Sequence, residues 1–246
     1  MQPPDEPVTL VGVYRARNAD LVRELCRPAV DRGWTIAWWA LDEVDDALAG
    51  LTVGRGPGAK FPLLNEILAR IETPAAGWLV VSDDDVVFDR RDVVGLVSVT
   101  GRARLDLAQP ARSDTGGGHE ITFARRLSVA RRTSFVEIGP VFVVGPRWSD
   151  RILPFPAERG MGWGLELEWL DLFREGCALG IVDAVRVRHV GTLAEEYDAH
   201  LELERLRAEL DARGIESWPD VQTKLATWRP WQRSPRWASS DREACG

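Results

Sequence analysis

Lysine is almost missing from this 246-residue chain; it appears only at Lys60 and Lys224, so arginine carries nearly all of the positive charge. Cysteine is nearly as scarce. Cys26, Cys177 and Cys245 are odd in number, far apart and in no CxxC or Cys/His pattern, so neither a disulfide framework nor a zinc site follows from them. No apolar run approaches the ~20 residues of a membrane span. The first seven residues are polar and proline-rich, with neither a basic n-region nor an apolar h-region, so no signal peptide is expected and a cytoplasmic setting is. An excess of positive charge is lacking too. The net charge is -7, which gives no general electrostatic reason to bind nucleic acid or an anionic membrane. Any anionic ligand must be held locally, by a metal or a few arginines. The length admits one large α/β domain or two small ones, with ample material for a core.

What is present is organised around residues 77–88. A short apolar run, Trp78-Leu79-Val80-Val81, reads as a buried strand. It ends in Asp83-Asp84-Asp85, and a second apolar run, Val86-Val87-Phe88, follows at once. Adjacent like charges repel, so such a cluster is costly unless something cationic neutralises it. A hard divalent ion with oxygen ligands, carrying a diphosphate on its other side, would do so. A solvated turn is the plainer alternative, and the apolar flanks argue against it.

Residues 8–14 form a β-branched first strand, and Trp34 to Leu41 form a second. Between them Leu21, Val22, Leu25, Ala29 and Val30 fall at helical spacing, with Asp20 as the expected N-cap and Gly33 as the stop. Strand-helix-strand in this rhythm predicts a parallel sheet with a right-handed crossover. Ligands of such sheets sit beyond the carboxyl ends of the strands. Arg15, Arg17, Asn18, Asp42 and the Asp83 cluster all fall at strand ends, so one sheet edge would collect them. The Gly54–Gly58 region is a loop that opens a helix marked by Leu63, Leu64, Ile67, Leu68 and Ile71. Its amides, with Lys60, could meet phosphate, or it is an ordinary connection. It lacks the GxxxxGK[ST] pattern, which excludes a P-loop.

Further on, a short helix is expected from Val93 to Leu96 and a short strand at Leu105 to Pro110. Residues 113–119 have the composition of a mobile loop, in which His119 either touches an acceptor or faces solvent. A strand or strand pair is expected from Phe135 to Val144, broken at Gly139-Pro140. The glycines at 160, 162 and 164 let backbone approach a ligand, and Leu165, Trp169, Leu172 and Phe173 then mark a helix. Glu166, at its start, is either a charge that suits the helix dipole or a general base on an acceptor hydroxyl. His189 ends a strand region and could complete a metal shell with Asp85. Thr192 to Glu195 reads as a capping box, opening a polar helix that Gly214 closes and whose narrow apolar stripe would meet the core or a second copy of the chain. Trp218, Trp228, Trp231 and Trp237 in the tail are too many to leave in water; they wrap the core or stack on a sugar or partner. The expected division is residues 1–191 as the catalytic unit, 192–214 as a helix and 215–246 as a tail packed on the core.

Asp83-x-Asp85 matches the DxD element of GT-A nucleotide-sugar glycosyltransferases. The order of strands, the Trp163-Gly164-x-Glu166 turn and the late histidine also resemble that fold. Leu107 to Ala111, Phe135-Val136-Glu137, Pro140-Val141-Phe142, Gly162 to Leu165 and Gly180 to Asp183 with His189 resemble a family of uncharacterised proteins of that superfamily. The resemblance covers most of residues 8–191. It implies an α/β fold with a mostly parallel central sheet flanked by helices. It also implies metal ligation by Asp83, Asp85 and His189, and a Mn2+ or Mg2+ cofactor. Donor contacts are implied for Arg15, Arg17, Asn18, Asp42, Lys60, Asp83 and Asp84. Catalytic carboxyls are implied at Glu166 and Glu168. Many members carry two adjacent acids in this turn, whereas here Leu167 follows Glu166 and Glu168 points to another helix face.

The expected activity is transfer of a sugar from UDP or GDP to a hydroxyl of a small-molecule or glycan acceptor, with inversion expected but retention left open by the missing second acid, and with a homodimer as an open possibility. A nucleotidyltransferase, which shares the sheet and the metal, and a non-catalytic nucleotide-sugar or partner-binding module are the alternatives.

Overall fold

In the computed structural model, residues 6–71, 77–113, 118–191 and 199–237 are described. In chain order the strands and helices are β1 (Val8–Tyr14), α1 (Ala19–Val30), β2 (Thr35–Ala40), β3 (Thr52–Arg55), α2 (Lys60–Arg70), β4 (Trp78–Ser82), β5 (Val86–Arg90), α3 (Val93–Ala103), β6 (Leu107–Arg112), β7 (Ala130–Thr133), β8 (Val141–Val144), α4 (Ser149–Ile152), α5 (Leu165–Arg174), β9 (Leu179–His189), α6 (Ala199–Ala212), α7 (Trp218–Val221) and β10 (Lys224–Trp228). The sheet runs β10-β7-β9-β6-β8-β4-β1-β2-β3, with β5 laid against β9. Strands β3, β2, β1 and β4 are parallel, as the strand-helix-strand rhythm requires. Beyond β4 the sheet is mixed: β8 runs antiparallel to both β4 and β6, while β6 and β9 are parallel.

Alternation along the central strands fills two cores. Leu10 and Val80 face one side with Val22, Leu25 and Leu96 from α1 and α3. Val11, Leu79 and Val81 face the other with Phe61, Leu64 and Trp169 from α2 and α5. A third cluster joins α5 to α6 through Leu167, Leu170, Leu206 and Leu210. In α1 the buried Val22, Leu25, Cys26 and Ala29 form the i, i+3, i+4, i+7 stripe of an amphipathic helix.

Several local expectations are corrected. The N-cap position of α1 is Asn18; Asp20 sits in the first turn, exposed and paired with Arg23 at 2.8 Å. The helix ends at Val30, three residues before Gly33, which turns the chain at φ +66. Helix α3 runs to Ala103 because its buried residues continue on several faces and Asp92 caps it, accepting from the Gly95 amide at 2.7 Å. Only Val141–Val144 of the 135–144 stretch is strand. The capping box at 192–195 and Tyr197 lie outside the described residues. In the tail, β10 pairs antiparallel with β7. Trp228 and Trp237 are buried, with Trp237 Nε1 donating to the Ala103 carbonyl at 2.7 Å, and Trp231 is exposed.

Candidate active site

The acidic triplet is the whole connection between β4 and β5. Strand β4 ends at Ser82 in the sheet centre, and β5 begins at Val86 but pairs with β9 instead. The chain therefore leaves the β4 position at the aspartates and rejoins the sheet against β9. The β5–β9 register sets Val86 opposite His189, which brings an imidazole from far along the chain beside Asp85. His189 Nε2 and Asp85 Oδ1 are 2.8 Å apart, and the Val190 amide donates to the Asp85 carbonyl at 2.9 Å. Gly191 follows in close contact with the Asp85 carboxylate, so closely that a Cβ there would collide with it.

The three aspartates do different things. Asp83 accepts from Lys60, whose Nζ lies 2.5 Å from Oδ1, and its amide donates to the Pro140 carbonyl at 2.8 Å. Asp84 turns back toward β1 and receives the Arg15 amide at 2.8 Å. Burial pushes the Asp84 carboxyl up to about 6, against the pull of the Arg15 amide and the Asn18 side chain and with a further push from Asp85 and Asp83. It thus acts as the clasp between the ends of β4 and β1. Asp83, Asp85 and His189 each offer a ligand atom, and these atoms lie within 4.8 Å of one another. Two hard carboxylate oxygens and one imidazole nitrogen suit Mn2+ well, while Mg2+ prefers oxygen alone. The Lys60 ammonium against Asp83 shows that the acids call for positive charge. Hydrogen bonding to Asp85 raises the His189 pKa against the effect of burial.

Around this cluster opens a cavity of about 580 Å³. Arg15, Arg17, Asn18, Lys60, Asp83, Asp84, Asp85, Glu166 and His189 all line it. Two expected site residues do not. Asp42 is exposed and accepts the amides of Ala16 and Glu43 at 2.9 and 2.7 Å, which fixes the turn after β1. What burial it has pushes its pKa up, but those amides and Arg15 outweigh that and hold it below the ordinary carboxylate range. Glu168, on another face of α5, is 2.6 Å from Arg159 Nε, and Arg159 also grips Glu209 of α6. Those contacts brace α5 against α6.

Glu166 stands in the first turn of α5, after Gly164, whose φ of +88 makes the turn a glycine position. Burial pushes its carboxyl up to about 7; Glu137 pushes the same way, and the amides of Glu166, Ile138 and Gly164 pull back. Such a group is poised to take a proton near neutral pH.

Glu137, Arg112 and Trp163 also line the cavity, and none of them was among the expected site residues; Trp218, one of the tail tryptophans expected to wrap the core or stack on a sugar or partner, lines it as well. The signal for Glu137 was there: a single carboxylate inside Phe135-Val136-Glu137-Ile138 must be paired or functional if the run is buried. His119 lines the cavity as well, half-buried, with its Nδ1 2.6 Å from Gln222 Nε2. Its ring meets Phe135 and Trp218 edge-on, and burial, with Arg112 adding, lowers its pKa to about 4.

A second cavity, of about 440 Å³, lies between β7, β10 and residues 120–128. Arginines and Lys224 dominate it. Its one deeply buried cation, Arg131, is committed to a bidentate pair with Asp183 at 2.8 and 3.0 Å. No expected site residue lines this second cavity.

Comparison with solved structures gives GalNAc-T7 with UDP, GalNAc and Mn2+, at TM-score 0.61 and 14% identity, covering 87% of this chain and 49% of that one. It also gives Staphylococcus aureus TarS 1-349 in complex with UDP-GlcNAc, at TM-score 0.55 and 9% identity, covering 83% of this chain and 66% of that one. The chain has the GT-A fold. No family model matches the chain. Among curated proteins, a thymidylate kinase of Deinococcus radiodurans is 30% identical over 122 residues, which is 50% of this chain and 51% of that protein. The chain thus spans about half the length of that relative. A GxxxxGK[ST] loop, the usual phosphate cradle of nucleotide-hydrolysing folds, is absent from the sequence.

Proposed function

We propose that this protein is a metal-dependent glycosyltransferase that moves a sugar from a nucleoside diphosphate to an acceptor hydroxyl. One observation carries the reading. The ligand atoms of Asp83, Asp85 and His189 converge in a cavity that also holds a buried carboxyl, Glu166, tuned to about pH 7.

In this reading Asp83, Asp85 and His189 would hold Mn2+, which would screen the diphosphate and stabilise it as a leaving group. Arg15, Arg17 and Asn18, on the turn after β1, face the nucleotide. Lys60 adds a second positive charge toward the diphosphate, exchanging its contact with Asp83 for a phosphate oxygen. Glu166 accepts the acceptor's hydroxyl proton as that oxygen bonds to the anomeric carbon, and the electron pair of the broken bond leaves with the nucleoside diphosphate. A base on the acceptor side makes this a direct displacement, which inverts the anomeric configuration. UDP is the first donor nucleotide to test, because the GalNAc-T7 and TarS structures contain UDP and UDP-GlcNAc.

The test is product analysis with UDP- and GDP-sugars in the presence of Mn2+. Release of the free nucleoside diphosphate, dependent on metal and abolished in Asp85→Ala, is expected. Release of pyrophosphate instead would assign the protein to nucleotidyl transfer.

A further inference from the structure

The second cavity, between β7, β10 and residues 120–128, has the opposite electrostatic character to the first. Five cations line it, Arg125, Arg126, Arg131, Lys224 and Arg229, against one acid, Glu120. Two of the five are neutralised within the fold: Arg131 is paired with Asp183, and Arg125 lies 3.0 Å from Glu120 Oε1. Arg126, Lys224 and Arg229 meet no carboxylate among the described residues. Three like charges around one hollow repel each other. In a chain of net charge -7, the overall composition does not call for such a group.

The fold holds these cations in place. Strand β10 sets Thr227 opposite Arg131 of β7, which brings Lys224, Thr227 and Arg229 to the cavity. Asp183, fully buried, takes both the Arg131 guanidinium and the Arg125 amide, the latter at 2.9 Å. Arg229 donates to the Leu127 carbonyl at 3.1 Å and lies 5.9 Å from the centre of the Trp231 ring. Leu127 itself sits at φ +57, a left-handed conformation that branched side chains rarely adopt and that persists where the surroundings impose it. No residue lines both cavities. They meet across α7: Trp218 lines the first, Pro219 and Gln222 line the second, and Gln222 touches His119 of the first at 2.6 Å.

The lining narrows the class of ligand. Guanidinium groups match phosphate oxygens with paired hydrogen bonds, and an ammonium adds a compact charge. Ser128 and Thr227, whose hydroxyls can donate, also line the cavity. Three unmatched cations suit a group with two or more negative charges better than a single carboxylate. The volume of about 440 Å³ is that of a small-molecule site. We propose that the second cavity binds a phosphate monoester or a diphosphate without a metal ion. Leu127 and Trp231, both exposed, flank Arg229, so a soluble ester and a lipid headgroup both satisfy this chemistry.

The experiment is calorimetric titration in EDTA with inorganic pyrophosphate and glycerol 3-phosphate, together with co-sedimentation on phosphatidylcholine vesicles with and without phosphatidic acid. The wild type is expected to bind at least one of these phosphates. The double variant Arg126→Ser, Lys224→Ser should weaken that binding by about tenfold or more, as loss of hydrogen bonds to a charged group does. Binding of the free compounds assigns a soluble ester; binding only to vesicles with phosphatidic acid assigns a lipid headgroup. The double variant Arg23→Ser, Arg27→Ser removes the same charge from the exposed face of α1 and should bind as the wild type does. Binding of no phosphate by the folded wild type, or equal binding by the two double variants, overturns the proposal. Both substituted cavity side chains are exposed; should that pair nevertheless not fold, Lys224→Ser alone decides by the same comparison. Asp85→Ala should bind these phosphates unchanged, so loss of metal-dependent nucleotide binding and loss of this site are read separately.

Discussion

In the proposed reaction Glu166 is the residue on which chemistry and stability pull in opposite directions. Its carboxyl is raised from 4.5 to about 7 by burial and by Glu137. The sign of the linkage follows. Because the folded protein holds this proton more tightly than the unfolded chain does, the group lowers stability as pH rises from about 4.5 toward 7, and the full cost remains above that range. Glu166→Gln removes the titration, so its unfolding temperature should exceed that of the wild type at pH 8 and approach it at pH 4. The same substitution should lower turnover by about 10²-fold or more, the usual worth of a general base, while leaving nucleotide binding intact. The wild-type rate should climb with pH through an apparent pKa near 7, and Glu166→Gln should lose that limb. A variant with unchanged turnover would remove Glu166 from the mechanism. At Asp84 the expected outcome is different. It clasps the Arg15 amide, so Asp84→Asn should disturb the β1 turn, reading out as weaker nucleotide binding with little change in affinity for Mn2+ alone.

Elements explain which parts of the site could be read from the sequence. Parallel strands buried on both faces are written as continuous apolar runs, and β1, β2 and β4 are such runs. Their carboxyl ends therefore announced Arg15, Asn18 and Asp83. The partner of β5 could not be read, because a register between residues 86 and 189 is set by packing at long range and not by any local pattern. Strand β7 was missed for another reason. Its sequence is Ala-Arg-Arg-Thr, which is polar by composition, yet Arg131 is buried against Asp183 of β9. Once paired, the two charges satisfy one another and bolt β7 to β9. Removing one partner strands the other, so Arg131→Ala should cost about 3–5 kcal/mol in a denaturant titration, far more than a surface arginine. A loss below 1 kcal/mol would show that the pair is solvated. The stretch from Phe135 to Val144 misled because apolar residues also line loops that turn inward; there the chain carries Glu137 to the cavity before β8 begins.

At the scale of the whole molecule, the proposed function asks a protein of net charge -7 to hold a ligand with a diphosphate. The proposed function answers this with Arg15, Arg17 and Lys60 lining one cavity and with Asp83, Asp85 and His189 grouped there, so that a divalent ion, not the bulk charge, would meet the phosphates. Binding should then be strongly coupled: nucleotide and metal each weak alone and tight together. Ligands that bind only the folded state stabilise it by mass action, by about 2.7 kcal/mol at a hundredfold excess over Kd. For a domain of this size that corresponds to a rise in Tm of roughly 5–10 °C. The measurement that tests this account most directly is calorimetric titration of UDP into the protein with Mn2+, with EDTA, and with Mn2+ in Asp85→Ala. Binding in the first case and loss of it in the other two is the predicted result. Equal UDP binding in all three, or none in any by a folded protein, would contradict the metal-bridged donor site at the β4–β5 link.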